Sequence, residues 1–225
     1  MTPSPRPNLE APVPVSRKVL ASQNVSRMCM VCGRDNPYSL KARFYQLEDG
    51  ELVGEFDPLE QHQSYPGRLH GGISSAILDE TIGRAVNITD PDAWGVTVEL
   101  TVRFRKPVPL DAPLRAYARI TRDTSRIFEG TGEIVLPDGT VAVEASGKYM
   151  KMPIDQIADG DFSKVWFADE RQAPELLDAW PRRRRFSARA ASAAARRARA
   201  LDRVALRRRD RRRPAPSSPC RPRRA

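Results

Sequence analysis

Long apolar runs are missing from this sequence of 225 residues. No stretch approaches the about 20 consecutive apolar residues that a helix needs to cross a bilayer. The first residues, MTPSPRPNLEAPVPVS, also lack the apolar core of a secretory signal peptide. The sequence therefore predicts a cytoplasmic protein without a transmembrane segment.

Cysteine and histidine are also scarce, with three and two residues. So few cysteines exclude the disulfide framework of a small secreted protein. Cys29 and Cys32 form one C-x-x-C, whereas a zinc site needs about four ligands. Residues 33–37 after it resemble a turn, whereas a redox C-x-x-C opens a helix after a strand. We predict a structural turn with buried thiols, no metal and no cofactor. A metal shared between subunits is the less favoured alternative.

Acidic residues are nearly absent from residues 181–225, which hold 18 Arg, no Lys and only Asp202 and Asp210. This segment has a net charge of +16, which leaves 20 basic and 26 acidic residues for residues 1–180. The rest of the chain is therefore mildly acidic. The tail consists mainly of Arg, Ala, Pro and Ser, too few bulky apolar side chains for a core, so we predict that it is disordered.

Two interpretations of this tail remain open. A run of Arg attracts nucleic acid or an acidic lipid surface, with a strong dependence on salt. The favoured alternative is an extension without a function, because it uses Arg without a single Lys.

Proline and aromatic residues indicate the remaining boundaries. Residues 1–24 contain five prolines and little apolar patterning, which predicts a flexible arm. A domain follows over residues 25–152. Residues 153–180 are acidic and aromatic, and we predict that they pack as short helices or as a cover.

Within the domain, apolar and polar residues alternate in six segments, as they do in half-buried strands. The turns Glu48-Asp49-Gly50 and Pro137-Asp138-Gly139 join two pairs of them as hairpins. Residues 71–86 are the only long segment with a helical period. We predict an α+β fold, in which a long central helix is wrapped by a curved antiparallel sheet of five to six strands. The predicted strands cover residues 40–46, 51–56, 96–104, 114–121, 127–136 and 140–150.

The predicted helix carries two neighbouring acids. Glu80 and Arg84 stand four residues apart and can form an ion pair. Asp79 has no obvious local partner and lies beside the apolar stripe. Its plain interpretation is a solvated helix residue; the functional interpretation is a positioned carboxylate, for which Glu80 is the second choice.

These features together resemble a known family. The helix begins with His70-Gly71-Gly72 and contains Leu78-Asp79-Glu80, and the next strand starts with Gly95-Val96-Thr97-Val98-Glu99-Leu100. This combination resembles the hotdog-fold acyl-CoA thioesterases of the phenylacetate-pathway type in the thioesterase superfamily. The resemblance covers about Cys29 to Lys151.

The resemblance implies a catalytic site. Asp79 takes the place of the catalytic base or nucleophile, and the N–H of Gly71 polarises the thioester carbonyl. Thr97 orients the water or the carboxylate, and His70 has a positioning role. The resemblance also implies a homodimer or tetramer with the site at the subunit interface.

Five further residues are predicted to bind substrate. Gly72 completes the glycine turn, and Gln63 stands in for the Asn or Gln that many relatives carry before this turn. Arg103, Arg105 and Lys106 lie at the end of the long strand and can meet the phosphates of coenzyme A. A solvated basic face is the alternative for these three residues.

The sequence thus predicts an acyl-CoA thioesterase. The alternative from a different class is a non-catalytic acyl-CoA-binding regulator whose basic tail contacts nucleic acid. A hotdog dehydratase is less favoured, because the loop around His70 does not match the dehydratase pattern.

Overall fold

One long helix lies against a large antiparallel sheet in this computed structural model, which describes residues 13–110 and 112–180. Helix α1 covers Gly71–Arg84 and continues as one 3-10 segment over Ala85–Ile88. No helix in these ranges has the length and apolar character needed to span a bilayer. The strands are β1 (Val15–Ser22), β2 (Val25–Ser26), β3 (Arg43–Leu47), β4 (Leu52–Phe56), β5 (Trp94–Phe104), β6 (Leu114–Asp123), β7 (Ile127–Val135), β8 (Val141–Met152), β9 (Trp166–Phe167) and β10 (Leu176–Ala179).

Eight of these strands form the main sheet, in the order β10-β1-β3-β4-β6-β7-β8-β5. Every neighbouring pair is antiparallel. The six strands from β3 to β5 in this order are the predicted ones, so the α+β architecture is confirmed. Strands β2 and β9 pair separately. Because β5 ends the sheet, one of its edges has no strand neighbour among the described residues.

Helix α1 packs on the sheet through a face made of Ile77, Leu78, Thr81 and Ile82, all fully buried. Two glycines of β7 allow this close approach. A Cβ atom at Gly130 would lie 2.6 Å from the Cγ2 atom of Ile82, and a Cβ atom at Gly132 would lie 3.0 Å from the Cγ1 atom of the same residue. Glycine at both positions therefore leaves room for Ile82. The buried face also includes Ser74.

The N-terminal region differs from the sequence prediction. Residues 15–22 form strand β1, which pairs with β3 and β10, although residues 1–24 were expected to be a flexible arm. The buried side chain that marks this strand is Arg17, which binds Asp49 at 2.8 Å and Glu51 at 2.6 Å. Because the buried position of β1 is an arginine and not an apolar residue, the sequence of this strand shows no alternation of apolar and polar residues. Sequence patterning therefore does not predict it. Residues 1–12 lie outside the described part of the chain.

Residues 153–180 also differ in form from the prediction. They contain two single-turn 3-10 helices, Ile154–Gln156 and Phe162–Lys164, and the short strands β9 and β10. Strand β10 buries Leu177 and Ala179 in a second apolar cluster on the sheet. The segment therefore acts as a cover built mainly from strands and turns. The tail, residues 181–225, is not among the described residues, so its predicted disorder and partners stay predictions.

Candidate active site

Asp79 lies on the third turn of α1 and faces two neighbouring strands. Thr97 in β5 and Tyr149 in β8 are directly opposite each other in the sheet, so their side chains project from the same face. The Thr97 hydroxyl donates to Asp79 Oδ1 at 2.9 Å, and the Tyr149 hydroxyl donates to the same oxygen at 3.0 Å. The sheet register thus holds one carboxylate oxygen with two hydroxyl donors.

The other carboxylate oxygen, Oδ2, accepts no hydrogen bond from the described residues. Burial raises the pKa of Asp79, the hydroxyls of Thr97 and Tyr149 lower it, and the neighbouring charge of Glu80 raises it further, for a net upward shift. Burial and the charge of Asp79 raise the pKa of Tyr149, so this phenol stays protonated and remains a donor. The arrangement leaves a half-buried carboxylate with one fixed and one available oxygen.

Tyr149 is the site residue that sequence reasoning missed. Its ring is 1% exposed and stacks on Phe128, with 4.9 Å between the ring centroids. Nothing in the local pattern distinguishes it from a core tyrosine. Only the pairing of β5 with β8 brings it opposite Thr97.

The first turn of α1 presents the second predicted feature. His70 is the N-cap residue, and its Nδ1 atom accepts a hydrogen bond from the Gly72 N–H at 2.9 Å. His70 is exposed, and its backbone N–H donates to the backbone oxygen of His62. The N–H of Gly71 has no acceptor in the described part of the chain. It is therefore an available donor at the positive end of a helix.

The carboxylate and this donor are far apart within one chain. Asp79 is eight positions after Gly71, which corresponds to about 12 Å along the helix axis. A thioester carbonyl carbon and its oxygen lie within about 1.2 Å of each other. One chain therefore does not supply both groups to the same carbonyl.

The other predicted residues have contacts of their own. Gln63 Oε1 accepts from the Gly67 N–H at 2.7 Å, so this side chain fixes the loop before the helix. Arg105 is paired with Glu144 at 2.8 Å. Gly72, Arg103 and Lys106 are exposed. Thr97 is the predicted site residue whose side chain bonds to Asp79 in the described ranges.

The remaining acid of the helix is engaged in an ion pair. Glu80 Oε1 accepts from Arg84 Nε at 2.7 Å, as its spacing predicted. The second histidine, His62, is buried; its ring accepts from the Leu59 N–H and lies 2.8 Å from the Tyr38 carbonyl oxygen. Both residues therefore have structural partners.

Cys29, Cys32 and Glu80 form the one group in the described residues whose atoms could share a metal ion. Their ligand atoms lie within 4.8 Å of one another. Arg84 occupies this cluster, since its Nη2 atom is 3.1 Å from Cys32 Sγ while its Nε atom binds Glu80. A fixed cation among three ligands disfavours a dication, so the cluster does not fit a metal centre.

Comparisons with known proteins place this geometry in a family context. Residues 66–143 match the family model described as the thioesterase superfamily. The matched range includes the glycine turn, Asp79 and Thr97. It ends before Tyr149.

Individual relatives agree with this match. A candidate esterase of Caenorhabditis elegans is 31% identical over 111 residues, which is 48% of this chain and 65% of that protein. Human acyl-coenzyme A thioesterase 13 is 26% identical over 73 residues, which is 32% of this chain and 52% of that protein. The chain thus spans less than two thirds of the length of either relative.

A solved structure supports the fold. It is a thioesterase superfamily protein with 30% sequence identity and a TM-score of 0.51, and the match covers 56% of this chain and 61% of that one. Residues 66–143 are therefore similar to the thioesterase superfamily, in agreement with the superfamily resemblance read from the sequence, and the domain around them has the hotdog fold.

Proposed function

We propose that this protein is an acyl-CoA thioesterase that hydrolyses a thioester to a free acid and coenzyme A. The observation that carries the proposal is the Asp79 carboxylate, half-buried, with Oδ1 held by Thr97 and Tyr149 and Oδ2 available. A solvated surface acid does not need two hydroxyl donors. Such an arrangement suits a group that must keep one orientation while it reacts.

Asp79 acts in its ionised form. As a general base, Oδ2 accepts a proton from the water that attacks the thioester carbonyl; as a nucleophile, Oδ2 attacks the carbonyl itself. A positioned general base contributes roughly a hundred- to ten-thousandfold to a rate. Both routes require the carboxylate, and both use the hydrogen bonds that Thr97 and Tyr149 donate to Oδ1.

The negative charge that develops on the carbonyl oxygen needs a donor. In our proposal this donor is the Gly71 N–H, at the N-terminus of α1, where the helix dipole also favours negative charge. Because Gly71 and Asp79 of one chain are about 12 Å apart, the donor comes from a second copy of the chain. The proposed enzyme is therefore a homodimer, or a tetramer built from dimers.

The exposed edge of the sheet supports this assembly. Thr97 lies near one end of β5, and Phe104 lies at its other end. Phe104 is close to Gly71, because a Cβ atom placed on Gly71 would lie 3.4 Å from the Phe104 ring. If two β5 strands pair antiparallel about a twofold axis, the Thr97 end of one copy meets the Phe104 end of the other. Asp79 of one subunit then approaches Gly71 of the second. Phe104 and Val98 are 56% and 57% exposed in the single chain, as expected for residues that a second copy covers.

Coenzyme A binding involves the exposed basic residues at the C-terminal end of β5 and just after it. Arg103 and Lys106 contact its phosphates in our proposal, whereas Arg105 is held by Glu144 and contributes less. Gly72 and the amide nitrogen of Gln63 line the approach to the carbonyl.

A hydrolysis panel tests the proposed function. The full chain is incubated with acyl-CoA esters of different chain length and with an aromatic acyl-CoA, and the released thiol is measured. We expect turnover of at least one ester. Saturable binding of the esters without release of coenzyme A from any of them would favour the non-catalytic regulator.

Tyr149→Phe tests how the carboxylate is held. This change keeps the ring stacked on Phe128 but removes one donor to Asp79. Since that bond favours the ionised carboxylate, its loss raises the pKa of Asp79 further. We expect the acidic limb of the pH–rate profile to move to higher pH. We also expect kcat at neutral pH to fall roughly tenfold, equivalent to about 1.4 kcal/mol.

The control variant is Phe128→Leu, which disturbs the same packing but keeps the hydroxyl. It should lower the unfolding temperature without moving the acidic limb. Equal displacement of the acidic limb in both variants would contradict a specific role for the Tyr149 hydroxyl.

A further inference from the structure

The C-x-x-C segment lies against the helix that carries Asp79. Cys29 and Cys32 belong to one helical turn, which the Gly33 N–H closes by donating to the Cys29 oxygen at 2.9 Å. A Cβ atom at Gly33 would lie 2.2 Å from that oxygen, so only glycine fits there. Both cysteines are free thiols, and their sulfur atoms lie within 4.8 Å of each other. The turn thus keeps two thiols side by side.

The two thiols have different surroundings. Cys32 is 1% exposed, and its Sγ atom contacts Arg84 Nη2 at 3.1 Å and the Ser26 N–H at 3.4 Å. Cys29 is only partly buried, whereas the sequence predicted two buried thiols. The Val31 N–H donates to the Cys29 sulfur at 3.3 Å. A reagent in solution therefore contacts the Cys29 sulfur more readily than the buried Cys32 sulfur.

We propose that Cys29 and Cys32 form a reversible disulfide by exchange with a low-molecular-weight disulfide, with Cys29 as the attacking thiol and Cys32 as the resolving thiol. This proposal does not depend on thioester hydrolysis. It differs from the structural role that the sequence favoured for this turn.

The exchange proceeds in two balanced steps. The Cys29 thiolate forms a bond to one sulfur of the small disulfide, whose S–S bond breaks and releases one thiolate. Cys32 then gives up its proton to solvent and attacks the Cys29 sulfur, and the second thiolate leaves. The two cysteines are oxidised by two electrons, and the small disulfide is reduced to two thiols.

The charges around the pair favour this order. A hydrogen bond from the Cys32 thiol is the largest effect on Cys29 and lowers its pKa, and the backbone N–H groups of Cys32 and Val31 lower it further. Burial and the charge of Glu80 raise the pKa of Cys29, and the net value is about 7. The pKa of Cys32 is raised, first because its proton is shared with Cys29 and then because of burial. Arg84 opposes that rise and is available to stabilise the Cys32 thiolate when it forms.

Oxidised glutathione is the probe for the direct test. The chain carries Cys220→Ser, so that only the two C-x-x-C thiols remain. A disulfide reagent is used because, unlike a peroxide, it does not transfer oxygen to the exposed Met28 and Met30. After incubation we expect both thiols to disappear and the mass to fall by two hydrogens, with no glutathione attached. Reduction by dithiothreitol should restore both thiols.

Two single variants separate the roles. Cys32→Ser should trap glutathione on Cys29, because no resolving thiol is present. Cys29→Ser should react at least about tenfold more slowly, because Cys32 is buried. Both are compared by unfolding temperature with the parent chain. Equal trapping rates in the two variants would overturn the assignment of the attacking thiol.

Two results on the parent chain would overturn the disulfide itself. One is two free thiols that persist after long incubation with oxidised glutathione. The other is one tightly held zinc ion per chain that protects both thiols until a chelator removes it. The parent chain needs no change in this turn, so a failure of the variants to fold does not affect the test.

The pH dependence of alkylation gives a second, independent measurement. Iodoacetamide reacts with thiolate, so its rate at Cys29 should rise with pH with a midpoint near the pKa of about 7. In a Cys32→Ala variant, which removes the thiol donor, the midpoint should move upward, because this hydrogen bond is the main cause of the lowered pKa of Cys29. A parent midpoint at the value of an ordinary thiol, about 8.5, would contradict the proposed pairing.

Discussion

Replacing Asp79 by Asn is expected to lower thioester turnover at least a hundredfold, because an amide neither accepts a proton from water nor attacks the carbonyl. The amide oxygen still accepts hydrogen bonds from Thr97 and Tyr149, so the side chain keeps its place. The KM for the ester should change little, since the loss concerns the reaction step. Steady-state hydrolysis of the best ester in the panel measures both constants.

The stability of the same variant distinguishes a lost reaction from a lost fold. The pKa of Asp79 is raised in the folded chain, so ionisation of this group costs folding free energy above that pKa. The free energy of unfolding therefore increases as the pH falls through the raised pKa of Asp79. At pH 8 the uncharged amide of the Asp79→Asn variant avoids the free-energy cost of a buried carboxylate, so the variant loses no stability from this group. We expect an unfolding temperature at pH 8 equal to or above that of the parent chain. Near-normal hydrolysis by a folded Asp79→Asn chain would remove this residue from the mechanism.

Gly71→Pro is expected to reduce kcat by roughly a hundred- to a thousandfold, the usual effect of losing one donor to a developing oxyanion. Proline removes the N–H that the proposal assigns to the carbonyl oxygen. Gly71 is the first residue of α1, the helical position where proline is best tolerated. His70 before it has φ −64° and ψ 137°, a conformation that a following proline permits. The variant should therefore fold.

Gly71→Ala is the matched control, because it keeps the N–H and adds only a Cβ atom. That atom would lie 3.4 Å from the Phe104 ring, an ordinary contact, and alanine favours a helix more than glycine does. Any effect of the added side chain on substrate approach appears in this control as well. The ratio of kcat between the two variants therefore reports the N–H itself. A ratio near one, with both chains folded, would exclude this N–H as the oxyanion donor.

The extent to which the sequence predicts this molecule depends on how local each signal is. The alternation from Val96 to Phe104 and the helical period from Gly71 report burial within one element, and both elements are confirmed. The Glu80–Arg84 pair is equally local, four residues apart on one helix. The glycine turn, Leu78-Asp79-Glu80 and the start of β5 are also short motifs, and the family resemblance rests on their combination.

Other features depend on contacts between distant segments. Tyr149 reaches Asp79 only because β8 pairs with β5 in one particular register, and no local pattern encodes that register. Strand β1 was missed because its buried residue, Arg17, is stabilised by acids more than thirty residues away. The closeness of Cys32 to Arg84 likewise depends on packing of the turn against α1. The cytoplasmic location and the role of the basic tail remain predictions of the sequence.

The central claim is that each site takes its carboxylate from one subunit and its amide donor from the other. Co-expression of Asp79→Asn and Gly71→Pro chains with different affinity tags, followed by purification on both tags, isolates the mixed dimer. The measurement is its hydrolysis rate. We predict about half of the parent activity, because each mixed dimer has one site with an intact Asp79 and an intact Gly71. A mixed dimer as inactive as the Asp79→Asn and Gly71→Pro homodimers would contradict the shared site.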